Sequence, residues 1–188
     1  MFDYQRIIDK YYPEGSSLRD IYLHHCRQVA DKALAIADKL NQSDTLDCDF
    51  PSNDEIEAAA MLHDIGIFLC NAPGIDCHGE EPYIRHGLLG ADLLRKEGAP
   101  ETIARVAERH TGSGLSREDI IADDLPLPLD RCYMPESQLE RLICYADKFF
   151  SKSGDMTEKP YTKMLVSMTK FGPESFARFR DLHQQFGV

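Results

Sequence analysis

Five stretches of this chain space their apolar residues three and four apart, and each puts a histidine or an aspartate on the apolar side. The spacing is that of amphipathic helices whose stripes face a core. In the first stretch His25 falls four residues after Ile21 and four before Val29, on a stripe with Leu18, Ile36 and Leu40. In the second, His63 lies between Ala60 and Ile67 on a face shared with Ile56, with Asp64 beside it. His86 precedes Leu89 by three in the third, with Leu93 further along the same face. His110 follows Val106 by four in the fourth, on a stripe with Ile103 and Ala107. Asp147 stands between Ile143 and Phe150 in the fifth, in line with Leu139. A lone inward histidine is ordinarily a core residue with its hydrogen bonds met, and Asp147 alone can pair with an arginine such as Arg27. An unpaired buried carboxylate, however, costs several kcal/mol. Four histidines and two aspartates on five inward faces ask for one common partner. A divalent cation offsets the carboxylates and uses the imidazole lone pairs, and helices converging in a bundle can supply both.

The remaining punctuation predicts an all-α, single-domain helical bundle, and 188 residues suit one domain. Ser17-Leu18-Arg19-Asp20 reads as a capping box opening a helix to about residue 40. Residues 41–52 read as a loop, and Asn53 as the cap of a helix reaching about Cys70. Pro73, Gly74 and Gly79 make 71–82 a longer loop over one end of the bundle. Helices are expected over 83–96, closed by Gly98 just past its end, and from Pro100 to about His110. Thr111-Gly112-Ser113-Gly114 is a turn, 116–121 a short helix, and 123–135, with Pro126, Pro128 and Pro135, an irregular excursion. Helices follow over 136–150, 161–170 and 173–185. No alternating strand stands out. The motif-bearing core spans about 18–150, with the helices of 151–188 packed on it.

A net charge of −11 repels nucleic-acid backbones and anionic membranes, so neither is expected as a standing partner. It does not oppose a small phosphoester held by a metal and a few basic side chains. No apolar run nears the roughly 20 residues that span a bilayer. Met1-Phe2-Asp3-Tyr4-Gln5-Arg6 lacks the build of a signal peptide, so a cytoplasmic location is expected. Cys26, Cys48, Cys70, Cys77, Cys132 and Cys144 are even in number, which admits disulfides. The missing signal and the helical positions of Cys26 and Cys144 favour reduced thiols. No CxxC pair occurs to make a zinc knuckle. Cys70, Cys77 and His78 read as loop residues.

The polar residues on these faces resemble the motifs of the HD-domain superfamily, in particular its HDIG subgroup. His25-Cys26-Arg27-Gln28-Val29-Ala30 is similar to the first histidine motif. His63-Asp64-Ile65-Gly66 is the HDIG signature, preceded by the small and apolar Ala58-Ala59-Ala60-Met61-Leu62. Ala146-Asp147-Lys148 is similar to the closing aspartate motif. The likeness covers roughly 23–150. It implies one metal on His25, His63, Asp64 and Asp147. It further implies a second on His86 and His110, with Asp64 bridging the two. His24 adjoins His25, but the stripe and the following Val-Ala favour His25. One departure is clear: many HDIG proteins carry a lysine directly after the glycine, where this chain has Ile67 and Phe68.

The resemblance implies a metal-dependent phosphohydrolase acting on a phosphomonoester or phosphodiester, in particular a nucleotide, through water activated by the metal. His63 and Asp64 are the expected catalytic pair, with Asp64 orienting the nucleophile or taking its proton. Arg27, Arg85, Arg109 and Lys148 each adjoin or neighbour an expected ligand and are candidates for the phosphate oxygens; surface solvation is the alternative for each. Histidine with carboxylate suits Mn, Fe, Co, Ni or Zn, as one or two ions. Other readings are a di-iron oxygenase of the same superfamily, a non-catalytic nucleotide or metal sensor, and a helical interaction protein with incidental histidines.

Overall fold

The computed structural model describes residues 2–42 and 50–187. Cys48 and the middle of the 41–52 loop lie outside the described residues. Asp3 accepts a hydrogen bond from the Arg6 amide and opens α1 (Tyr4–Tyr11), which buries Ile7 and Ile8. This helix lies outside the sequence expectations, although Tyr4, Ile7, Ile8 and Tyr11 are spaced as an amphipathic helix requires. Helix α2 (Ser17–Gln42) follows the expected stripe. Its first turn is held by Ser16, whose Oγ accepts from the Arg19 amide at 3.3 Å. Ser17, the expected cap, instead donates to Asp76. Helix α3 (Asn53–Leu62) is capped by Ser52 in a capping box with Glu55, one residue before the expected Asn53. It stops well short of Cys70. Residues 63–66 leave the helix in a tight turn, with Ile65 N on Leu62 O and Ile67 N on Asp64 O, followed by a 3₁₀ turn at Ile67–Leu69.

The expected 71–82 loop holds a small hairpin, β1 (Asn71–Ala72) against β2 (Cys77–His78), paired Asn71 to His78 and Ala72 to Cys77. A 3₁₀ turn at Tyr83–Arg85 leads into α4 (His86–Lys96), which ends with Gly98 at φ +75° as the sequence required. Helix α5 (Glu101–Arg109) starts after Pro100, and α6 (Arg117–Ala122) starts on a Ser116–Asp119 capping box. After the irregular excursion, a Ser137–Glu140 box opens α7 (Gln138–Asp147). Then come α8 (Tyr161–Met168) and α9 (Gly172–Phe186).

Helix α2 packs on α3 and α7, α4 on α5, and α5 reaches both α3 and α7. One core runs through them, and Phe179 and Phe186 of α9 join it beside Tyr145 of α7. Ser113 Oγ also donates to the Ser175 carbonyl at 2.9 Å, tying α9 to the turn after α5. A smaller apolar cluster of Leu88, Ile120, Leu127 and Tyr133 anchors the irregular excursion. The all-α architecture is as the sequence required. Among the described residues no helix is long and apolar enough to cross a membrane. Cys26, Cys70, Cys77, Cys132 and Cys144 are unpaired.

Candidate metal centre

Two buried tyrosines hold the exit of α3: Tyr22 donates to the Met61 carbonyl at 2.5 Å and Tyr12 to the Ile65 carbonyl at 3.0 Å. Glycines then let this turn lie against α4. A Cβ on Gly66 would stand 2.3 Å from the His86 carbonyl oxygen and 2.5 Å from the Gly90 nitrogen. One on Gly87 would stand 2.5 Å from the Ala107 carbonyl oxygen, so α4 and α5 also meet backbone to backbone. Through these contacts the His63–Asp64 turn, His86 and His110 come to one place.

His25, His63, Asp64 and Asp147 form one buried group of potential ligand atoms, and Asp64, His86 and His110 a second. His25 Nε2 lies 3.1 Å from both Asp64 Oδ2 and Asp147 Oδ1. It is 3.3 Å from His63 Nε2, which is itself 3.2 Å from Asp64 Oδ2. On the other side His86 Nε2 and His110 Nε2 are 3.0 Å apart, each 3.4 Å from Asp64 Oδ1. Asp64 therefore turns one oxygen to each group. His24, next to His25, is exposed.

Three of the rings are fixed from behind by the carbonyl three residues earlier. Nδ1 of His63 bonds Ala60 O at 2.6 Å, that of His86 bonds Tyr83 O at 2.6 Å, and that of His110 bonds Ala107 O at 2.8 Å. A carbonyl only accepts, so each Nδ1 carries the proton. Burial lowers the pKa of His86 to about 3 and also lowers that of His110. Both rings are neutral near pH 7, and two Nε2 lone pairs face each other and a carboxylate oxygen. A cation among these atoms would turn that repulsion into attraction. The other half also draws positive charge. Burial opposes ionisation of Asp64, but Lys152 and His63 outweigh it and hold the carboxyl well below its usual range. Asp147 is held low in the same way, against burial, by Lys148 and the histidines. Burial likewise opposes charge on His63, and Asp64 overrides it to raise that pKa. Both Asp64 oxygens are sealed from water and accept no hydrogen bond of sound geometry. The buried cluster fits a divalent metal ion in residue type, tautomer and charge.

A cavity of about 650 Å³ opens beside the cluster, lined by Asp147, Lys148 and Lys152. Of the four basic candidates, Lys148 alone lines it, with Nζ 3.3 Å from Asp147 Oδ2. The other three are placed elsewhere. Arg27 pairs with Glu57 at 2.9 Å, which also removes it as a partner for Asp147. Arg85 pairs with Glu81 at 2.7 Å, and Arg109 with Glu136 at 2.6 Å and Glu140 at 3.1 Å. Sequence reasoning missed Lys152, whose Nζ lies 2.5 Å from Asp64 Oδ2. Its signal was slight: a lysine in the Ser151-Lys152-Ser153-Gly154 turn soon after the last candidate ligand.

The family model for the HD domain matches residues 22–151. The chain is 32% identical over 183 residues to the tRNA (cytidine(56)-2'-O)-methyltransferase of Thermoplasma volcanium, a match covering 97% of this chain and 46% of that protein. The methyltransferase of the same name from Picrophilus torridus is 32% identical over 132 residues, 70% of this chain and 32% of that protein. An uncharacterised protein of Methanocaldococcus jannaschii is 35% identical over 127 residues, 66% of this chain and 63% of its own length. The chain thus spans half or less of the two methyltransferases. Among solved structures, it resembles the HD domain of the L. monocytogenes phosphodiesterase PgpH at a TM-score of 0.54 and 18% identity, covering 97% of this chain and 95% of that one. The same domain in complex with cyclic-di-AMP matches at a TM-score of 0.53 and 18% identity, over 96% and 93%. At this identity the likeness is one of fold.

Proposed function

Because the chain belongs to the HD-domain family, we propose that it is a metal-dependent phosphohydrolase acting on a small phosphoester, with nucleotides as the substrate class. The observation that carries this reading is the split carboxylate of Asp64, with Oδ2 toward His25 and His63 and Oδ1 toward His86 and His110. In this reading His25, His63, Asp64 and Asp147 hold one ion, and Asp64, His86 and His110 a second. A divalent ion bound there makes a water more acidic and withdraws charge from phosphoryl oxygens. The rest of the catalysis is positioning by the chain. The carbonyls of Ala60, Tyr83 and Ala107 keep three imidazoles in the ligating tautomer. Asp64 and His63, side by side, act as ligands that set where the attacking water lies, since His63 Nε2 and both Asp64 oxygens face the two groups and His63 Nδ1 is held by the Ala60 carbonyl. Lys148 presents its ammonium to the non-bridging oxygens from the cavity wall.

The cavity volume falls within the roughly 300–1,000 Å³ range of small-molecule sites, and its apolar wall of Ile75, Ile84, Leu125 and Met168 suits a base or another flat body. That the PgpH HD domain binds cyclic-di-AMP supports a nucleotide. The methyltransferase name belongs to relatives more than half of whose length lies outside the match. Iron, manganese, cobalt, nickel and zinc all suit the donor set, and the free thiols suit a cytoplasmic setting.

The test is elemental analysis of anaerobically purified protein, then a nucleotide and phosphoester screen with Mn, Fe, Co and Ni added. Phosphate release without oxygen consumption is expected. His63→Ala and Asp64→Ala should each lose metal and turnover while keeping their helicity by circular dichroism. Full activity in either variant rejects the site.

A further inference from the structure

Lys152 belongs to no helix, yet its side chain is only 13% exposed and its ammonium reaches the carboxylate shared by both ligand groups. Desolvating an ammonium is costly, and a simple surface loop gains nothing from it. Lys148 stands in the same relation to Asp147, so each cluster carboxylate faces one lysine, and both lysines line the cavity. The other basic groups on that wall are engaged: Arg178 is 2.5 Å from Asp119, and Lys159 bonds Ser151. The position after Gly66 cannot supply a cation, because Ile67 is apolar and fully buried.

From this placement, and resting on the two-ion reading above, we infer that Lys152 is the substrate's phosphate clamp. With Asp64 committed to bound cations, the Lys152 ammonium loses its carboxylate partner and needs another anion within reach. The cavity beside it is where that anion enters. Lys152 thus couples the two occupancies: its ammonium stands against Asp64 until cations take the carboxylate, and then turns to the phosphate. Phosphate and metal therefore bind cooperatively.

Inorganic phosphate and Mn²⁺ are the probes, titrated by calorimetry into the full chain and into Lys152→Met and Lys152→Arg. The wild type should bind phosphate when loaded with Mn²⁺ and not when chelated. Lys152→Met should weaken phosphate binding to the loaded protein by about ten- to a hundredfold, the range of one charge-assisted hydrogen bond, and bind Mn²⁺ at least as tightly as wild type. Lys152→Arg should recover part of the loss. With a phosphoester identified, Lys152→Met should raise KM more than it lowers kcat. Unchanged phosphate affinity, or a loss of Mn²⁺ alongside the loss of phosphate, overturns the clamp. A wild type that binds Mn²⁺ and phosphate but hydrolyses no phosphoester removes the phosphohydrolase reading and leaves the clamp standing.

Discussion

At Gly66 the space for even a methyl group is taken by rigid backbone, the carbonyl of His86 and the amide of Gly90. Gly66→Ala must push the His63–Asp64 turn away from α4, at the roughly 1–3 kcal/mol typical of overpacking or more. His86 would move with it, so the expected result is a lower melting temperature together with loss of metal from the His86–His110 side. Gly90→Ala, whose added carbon would meet nothing closer than 3.1 Å, should be milder. Equal melting temperatures and full metal content in Gly66→Ala would reject this close approach as the device that assembles the site. At the same scale, the cluster residues were legible because each broke an apolar stripe. The arginines misled because neighbours in a helix point about 100° apart. Arg109 precedes His110 and so faces Glu140 on α7. Lys148 is the C-cap of α7 and keeps helical dihedrals (φ −57°, ψ −27°), yet its ammonium turns to Asp147 and it does reach the cavity.

At the scale of elements, the turn after α3 departs from the sequence pattern and also serves the site. The stripe runs on through Ile67, so periodicity reads a helix to Cys70. His63 still has helical dihedrals as the C-cap of α3 (φ −57°, ψ −33°), and its Nε2 lies 3.2 Å from Asp64 Oδ2 at the start of the turn. Caps were legible only to within a residue, since Ser16 and Ser17, or Ser52 and Asn53, are chemically equivalent choices. Helix α6 offers a test of how α9 is fastened. Asp119 caps its first turn and takes Arg178 of α9 at 2.5 Å. Burial works against this carboxylate, but the Ser116 amide and Arg178 prevail and lower its pKa. A lowered carboxyl pKa stabilises the fold above the unfolded value, about 3.9, and that stabilisation fades as pH falls through the folded value. Asp119→Asn should therefore melt below wild type at about pH 7, by on the order of 1 kcal/mol, and the gap should narrow toward about pH 3. A gap that is constant or widens on acidification would show that the charge of Asp119 contributes nothing.

For the whole molecule, the question is how far the cluster and the carboxy-terminal helices share one stability. We take residues 151–188 to belong to the same cooperative unit as the helices before them, since Phe179 and Phe186 pack into the core beside Tyr145. The cluster's carboxylates also keep protein partners of their own, Lys152 on Asp64 and Lys148 on Asp147. Chelated protein should therefore stay folded, with its helicity intact, but melt lower. An ion present at a hundredfold its dissociation constant contributes about 2.7 kcal/mol. For a chain of this size that corresponds to roughly 5–10 °C. The chain has no tryptophan, so its eight tyrosines, spread from α1 to α8, report on tertiary packing across the molecule, while circular dichroism reports on all the helices. Both probes should give one midpoint with Mn²⁺ and one lower, still common midpoint after chelation. Two separated transitions would divide the carboxy-terminal helices from the core, and a midpoint indifferent to chelation would mean that no ion is held among these histidines and aspartates.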